Sequence, residues 1–330
     1  MCDFENNNIY CYPNSMEEND YLNINFRLWR EMGLNVFPFK SLLKKLITPR
    51  LWFKDYVVLN FFENTVLGRF AGLRLLRAVV FLLLARLLVR KIIWVRHNYI
   101  PHSLNGVNIH YFNCISFLLN KLSHEIVVHR PVKDFLMSHV VPHPLYLNFN
   151  SDQHDNNLDE DKDKEFLYFG QVRENKGLCQ LLECWPTDTK LTMLGACNDS
   201  VLENRIRGII SFRNLNVIWD NIFVSKGLLD EAIYKADCIV IPHVDKSMIV
   251  TGAAFHAMSL GANLVINESD FSNWMITVYP FSSSYNYSNL TEIIHNVNLL
   301  KKSDVMVHAK NVNSDDKVKR AWKSVFLSTS

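Results

Sequence analysis

Short apolar runs recur along this chain, and each is followed by a turn and then by a stretch that suits a helix. Val57-Val58-Leu59, Ile92-Ile93-Trp94-Val95, Ile126-Val127-Val128, Phe166-Leu167-Tyr168-Phe169, Ile239-Val240-Ile241 and Leu264-Val265-Ile266 are the clearest. A run without polar alternation suits a strand buried on both faces, and strands that alternate with helices imply a parallel sheet covered on both sides. A chain of 330 residues is long for one core and comfortable for two α/β domains of roughly 150 residues each. The almost wholly polar stretch 150–165 places the boundary. The expected organisation is a flexible tail over 1–18, a first domain over 19–149, an acidic linker over 150–165 and a second domain over 166–330. The last helix is expected to return to the first domain.

Composition narrows the class. Apolar residues at 48% and charged residues at 21% describe a globular protein rich in core. The seven cysteines are scattered without zinc-ligand spacing, so we expect reduced thiols, a cytoplasmic setting and no metal site. Residues 1–19 lack a basic segment followed by an apolar run, which argues against a secretory signal. The longest apolar run, 78–85, stops at Arg86, far short of the roughly 20 residues that span a bilayer. Net charge of +2 hides an asymmetry: residues 27–96 carry fourteen Lys and Arg against three acids, Glu31, Asp55 and Glu63. These cations are interleaved with Leu, Trp and Phe, a mixture that favours an anionic membrane surface over nucleic acid. The Arg-bordered stretch 68–91 reads either as a membrane-docking helix or as a buried helix of the first sheet.

Two turns carry chemistry. Thr251-Gly252-Ala253 opens a helix-compatible run that ends at Gly261 and leads into Leu264-Val265-Ile266. Backbone N–H groups at a helix start are unpaired and carry partial positive charge, so they suit a phosphate, and Gly252 admits close approach. In the second turn the strand 166–169 ends in Gly170, and the following loop holds Arg173 and Lys176. Two phosphate-suited strand-to-helix turns in one half of a chain point to a nucleotide diphosphate.

Laid in order, these segments resemble GT-B glycosyltransferases of the bacterial capsule and exopolysaccharide type, near the GT4-like and GumI/GumK-type groups. The resemblance runs from about residue 19 to 322. It rests on Asp55-Tyr56-Val57-Val58-Leu59-Asn60-Phe61-Phe62-Glu63, Val95-Arg96-His97-Asn98 with Pro101-His102, Ile126-Val127-Val128-His129 and Val141-Pro142-His143-Pro144-Leu145-Tyr146. In the second half it rests on Phe169-Gly170-Gln171-Val172-Arg173 with Lys176-Gly177, on Ala236-Asp237-Cys238-Ile239-Val240-Ile241-Pro242-His243, and on the Thr251 turn. It implies two Rossmann-like parallel-sheet domains facing a cleft, and a nucleotide-diphosphate sugar as co-substrate without a further cofactor. It also implies a glycolipid or oligosaccharide acceptor at the inner face of a membrane.

By the same resemblance Arg173, Lys176, Thr251, Gly252 and Ala253 hold the donor diphosphate, and Gly170, Phe223, Val224 and Ser225 hold the nucleotide. Glu63 and His97 are the catalytic candidates, and His102, His129, His243 and His256 stand behind them. The sequence departs from the pattern where Met248 and His256 replace a glutamate pair, where Asn60 replaces a histidine, and where Ser103 follows Pro101-His102 in place of a glutamate. A catalytically silent nucleotide-sugar-binding or scaffolding module therefore stays open. A Rossmann oxidoreductase is disfavoured, because no G-x-G-x-x-G with a downstream acid is found.

Overall fold

The structure is a computed structural model that describes residues 4, 7–13, 19–49, 52–99, 109–135, 138–146, 164–244 and 248–328. The chain divides into two compact units. One comprises residues 1–144, 247–250 and 315–330, and the other residues 145–246 and 251–314. Linker residues 150–163, and His102, lie outside the described residues.

The first unit contains β1 (Asn8–Tyr12), α1 (Asp20–Glu31), β2 (Asn35–Pro38), β3 (Tyr56–Asn60), α2 (Ala71–Leu88), β4 (Lys91–Val95), α3 (Ile109–Leu122), β5 (Glu125–Val128) and β6 (His139–Val140). Its strands form one parallel sheet in the order β2-β1-β3-β4-β5-β6. Strand side chains alternate between two cores, as a pleat requires. Val57, Leu59, Ile92 and Trp94 pack with Leu82, Ala85, Phe112 and Ile115 of α2 and α3, whereas Val58, Ile93 and Val95 pack with Leu28 and Trp29 of α1.

The start of the chain corrects one expectation. Residues 8–12 are not part of a flexible tail: they form β1, an inner strand with parallel partners on both sides, and Ile9 and Cys11 are buried. The apolar run Ile9-Tyr10-Cys11 is too short to stand out among asparagines, and only the neighbouring strands satisfy its backbone. Asp55 anchors the entry by accepting from the backbone N–H of Asn8 at 2.9 Å and from Lys45 Nζ at 2.5 Å.

The second unit runs β7 (Phe166–Phe169), α4 (Leu178–Cys184), β8 (Leu191–Leu194), α5 (Ser200–Phe212), β9 (Val217–Asp220), α6 (Lys226–Lys235), β10 (Cys238–Ile241), α7 (Gly252–Ser259), β11 (Asn263–Asn267), α8 (Asp270–Val278), β12 (Ser282–Tyr285), α9 (Leu290–Asn296) and α10 (Lys302–Asn313). Its parallel sheet has the order β12-β11-β10-β7-β8-β9. The strand order reverses on either side of β7, and ligands in open α/β sheets bind beyond the carboxyl ends of strands at such a switch.

The last helix, α11 (Asp315–Leu327), belongs to the first unit. Val318, Trp322, Val325 and Phe326 fill the core beneath α1, and Trp322 Nε1 donates to Asn25 Oδ1 at 2.9 Å.

Candidate functional site

In the second unit, the exits of neighbouring strands are tied together at the carboxyl edge. Gly170, after β7, has φ +120°, and Gly195, after β8, has φ +156°. A Cβ on Gly195 would lie 1.9 Å from the Gly170 carbonyl oxygen, so glycine is required where these two exits meet. Beyond Gly170 comes the short turn Glu174–Lys176, closed by Gly177 at φ +69°. A Cβ there would stand 2.2 Å from the Pro242 carbonyl oxygen. The loop after β7 is thus pressed onto the loop after β10. Lys176 Nζ meets His243 Nε2 at 3.1 Å, and Asn267 Nδ2 at the end of β11 donates to the His243 carbonyl at 3.2 Å. Arg173 is exposed, with Nη2 donating to Gln171 Oε1 at 2.5 Å.

The start of α7 belongs to the same edge. Thr251 is its N-cap, in extended conformation and making no side-chain cap bond, so its hydroxyl does not satisfy the helix N–H groups. Gly252 lies under the Tyr146 hydroxyl: a Cβ there would be 3.0 Å from it. One helical turn later, His256 Nε2 meets Asp230 Oδ1 of α6 at 2.6 Å. Its ring lies 5.2 Å from that of Tyr146 and 5.7 Å from that of Phe169, the last residue of β7. These rings connect the Thr251-Gly252-Ala253 start to the Phe169-Gly170 exit. The arrangement combines an anion-attracting helix start, two cations and glycine backbone that admits close approach, which suits a diphosphate.

Phe223, Val224 and Ser225 follow the edge strand β9, and Ser225 caps α6. Phe223 is 84% exposed. The described contacts join these three residues to the rest of the group through α6, whose Asp230 holds His256. Tyr146 and Asp230 were not assigned roles from sequence. Tyr146 had a signal in its Pro-x-Tyr setting, whereas Asp230 has no local signature in an ordinary helix.

The first unit assembles a second group. His97 follows β4, His129 follows β5 and His143 follows β6, and the three rings converge on Tyr21 with centroids 5.0, 5.2 and 5.0 Å from its ring. The Tyr21 hydroxyl meets His129 Nε2 at 3.0 Å, and His129 Nδ1 meets the Val141 carbonyl at 2.8 Å. His97 Nε2 lies 3.3 Å from Asn60 Oδ1, and its ring is stacked on Phe61 at 4.0 Å. Phe61 has φ +53°, an unusual conformation for a bulky residue that costs roughly 1–3 kcal/mol.

Burial holds all three imidazoles in the neutral form. It pushes His129 down to about 4, and it pushes His97 and His143 well below the usual histidine range, helped by their histidine neighbours. Glu63 is buried too, with Oε2 accepting from Trp94 Nε1 at 3.1 Å, and burial raises its proton affinity. Sequence reasoning found His97, His129 and Glu63 but not Tyr21, His143 or Arg130. Arg130 Nε donates to the Ile249 carbonyl at 2.6 Å, and Ile249 N–H to the His97 carbonyl at 3.3 Å. The segment immediately before Thr251 is fastened in this way.

No protein-family model matches the sequence, and no curated protein matches it. In fold, the chain is similar to Anabaena HepE in complex with UDP and glucose, with a TM-score of 0.63 and 12% identity over 98% of this chain and 100% of that one. It is also similar to an α,α-trehalose-phosphate synthase (UDP-forming) from Burkholderia vietnamiensis (TM-score 0.57, 9% identity, 94% of this chain and 79% of that one). A glycosyltransferase from Rickettsia africae matches with a TM-score of 0.57 and 12% identity over 97% of this chain and 96% of that one. The likeness is one of fold: two parallel six-stranded sheets flanked by helices, the GT-B architecture.

Proposed function

We propose that this protein is a metal-independent glycosyltransferase. It moves a sugar from a nucleotide-diphosphate donor to a lipid-linked surface-polysaccharide intermediate at the inner face of a bacterial membrane. The observation that carries this reading is the carboxyl edge of the second unit, where Lys176 meets His243 and where His256, one turn into the helix that Thr251 and Gly252 open, lies against Phe169 at the end of β7. The similar folds lend support, since HepE was solved with UDP and with UDP-glucose. In this mechanism Arg173 and Lys176 neutralise the charge that develops on the leaving diphosphate, work that a metal does in other transferases. A Glu63 carboxylate with raised proton affinity is suited to take the proton of an acceptor hydroxyl, and a neutral His97 is suited to accept or share a hydrogen bond with the reacting sugar.

The membrane part of the reading rests on α2. Phe70, Leu73, Leu76, Val80, Leu83 and Leu87 form an exposed apolar row there, with Arg69, Arg74, Arg77, Arg86 and Arg90 along it. Apolar side chains that enter the interface while arginines reach lipid phosphates give such a helix its affinity for an anionic surface. No helix among the described residues is long and apolar enough to cross a membrane.

Incubation with UDP-, GDP- and dTDP-sugars, with and without a prenyl-diphosphate-linked acceptor, tests the reading by nucleotide release. Turnover that survives a chelator is the expected result. A donor that binds and is never turned over would establish a silent nucleotide-sugar-binding module instead, the reading favoured by the loss of the glutamate pair at Met248 and His256.

A further inference from the structure

Asn60 closes β3 and is buried, and its amide has one consistent orientation. Nδ2 donates to the Tyr12 carbonyl at 3.4 Å and lies 3.6 Å from Cys11 Sγ. A backbone carbonyl has no hydrogen to give, so the nitrogen end of the amide faces β1, and Oδ1 faces His97 Nε2 at 3.3 Å. An amide oxygen only accepts, which puts the imidazole proton on Nε2. Nδ1 is then a bare lone pair, and none of the described residues gives it a hydrogen bond. Phe61 sets the plane of the ring, stacked on it at 4.0 Å with 16° between the planes, and the Ile249 N–H holds the His97 carbonyl. The titratable groups that face the ring are Tyr21 of α1, His129 after β5 and His143 after β6. The charged residues nearby are engaged elsewhere: Arg96 with the Asn98 and Tyr99 carbonyls, Arg130 with the Ile249 carbonyl, and Glu63 with Trp94 Nε1.

We infer that Asn60 is a positioning residue that makes His97 an obligate hydrogen-bond acceptor, so that the substrate group His97 meets is a hydroxyl. A sugar hydroxyl can donate to a bare Nδ1, whereas an ionised phosphate oxygen would set lone pair against lone pair there. A carboxylate in place of Asn60 would favour a second proton on the ring and so present Nδ1–H, which suits an anion instead. The amide supplies the same directional bond without the charge. Burial works in the same direction, since it opposes the charged form of His97. Phe61 keeps its left-handed backbone at this point, a strain that serves to hold the ring in place. The word sugar rests on the glycosyl-transfer reading, whereas the hold of Asn60 on the imidazole does not.

Long-range proton–nitrogen correlation spectra of the full chain carrying isotope-labelled histidine test the assignment, with His97 identified by the signals lost in His97→Gln. At pH 7 the wild type is expected to show a protonated Nε2 and an unprotonated Nδ1, a result that needs no variant at Asn60 to fold. Asn60→Asp is expected to raise the titration midpoint of His97 by about 1–3 pH units. Nucleotide release from UDP-, GDP- or dTDP-sugar, with a prenyl-diphosphate-linked acceptor, is the second readout. The ratio of Asn60→Asp turnover to wild-type turnover is expected to rise about tenfold from one pH unit below the variant's midpoint to one unit above it, as the second proton leaves the ring. A purely structural role for Asn60 would lower turnover without that profile. The inference is overturned if the wild-type proton lies on Nδ1, or if both nitrogens are protonated at pH 7. It is equally overturned if folded Asn60→Asp keeps the wild-type midpoint, or if the turnover ratio is flat across the variant's midpoint. A wild type with the expected tautomer that turns over no nucleotide sugar would overturn the glycosyl-transfer reading and leave the hold of Asn60 on His97 standing.

Discussion

In the proposed donor site, the setting of Lys176 makes it the side chain to test. Gly177 allows the loop to press onto Pro242, and that contact carries Lys176 to within 3.1 Å of His243. Replacing it with alanine removes a hydrogen bond to a charged group, an interaction of about 1.5–3 kcal/mol. Titration of Lys176→Ala with UDP should therefore show affinity lowered by roughly ten- to a hundredfold, with little change in melting temperature; an unchanged affinity would remove Lys176 from the site. Gly195 makes a backbone prediction of a different kind. Alanine there meets the Gly170 carbonyl oxygen at 1.9 Å from its Cβ, in a backbone region that L side chains avoid. Denaturant unfolding of Gly195→Ala should show a loss of about 2 kcal/mol or more. The Gly170 turn was legible because it ends an apolar run locally. The partnership of His256 with Asp230 was not, because 26 residues separate them and nothing in α6 marks one acid from another.

Two elements show where pattern reading reaches its end. β1 is an inner strand built on three apolar residues, so its existence depends on β2 and β3 more than on its own composition. An ionised side chain at Ile9, fully buried, would have no partner. Ile9→Asp should lower stability by several kcal/mol, enough to leave little folded protein in circular dichroism. If that variant folds normally, β1 is not the inner strand described here. α2 poses the opposite problem, since it is apolar nearly all round and its period alone does not say which face is buried. Ala78, Leu82, Ala85 and Leu88 turn inward, leaving Leu73, Leu76, Val80, Leu83 and Leu87 outside. Serine at Leu73, Leu76 and Leu83 should abolish flotation with vesicles that contain anionic lipid while leaving thermal stability intact. Wild-type flotation that is indifferent to lipid charge would remove the membrane from the proposal.

At the scale of the molecule, the buried histidines set a pH dependence. His129 takes up a proton near pH 4 in the folded protein and near 6.5 when unfolded, and His97 and His143 are displaced in the same direction. Between those values the unfolded chain binds more protons, so stability falls as pH drops from about 6.5 towards 4. The slope is about 1.4 kcal/mol per pH unit for each such histidine. Glu63, whose pKa is raised by burial, acts in the opposite sense, whereas His124, pushed down to about 4 by partial burial, acts with the three. Urea unfolding of the first unit, followed at pH 7 and pH 5, should show the loss; equal stability at both would mean that the imidazoles are not buried neutral.

The rhythm of buried strands and helices, the two phosphate-suited turns and the basic first half are all properties of short stretches. They follow from periodicity and from backbone freedom at glycine, so the sequence by itself determined the α/β class and the place of Gly170, Lys176 and Thr251 at strand and helix ends. What tertiary structure decided lies between stretches. Tyr21 gathers His97, His129 and His143 from three strand ends, and Trp322 reaches Asn25 across 297 residues. Lys40 and Tyr12 close a cavity with two arginines of α2. Such groupings depend on how strands are ordered in a sheet and which helix covers which face, and no local pattern of side chains encodes that order.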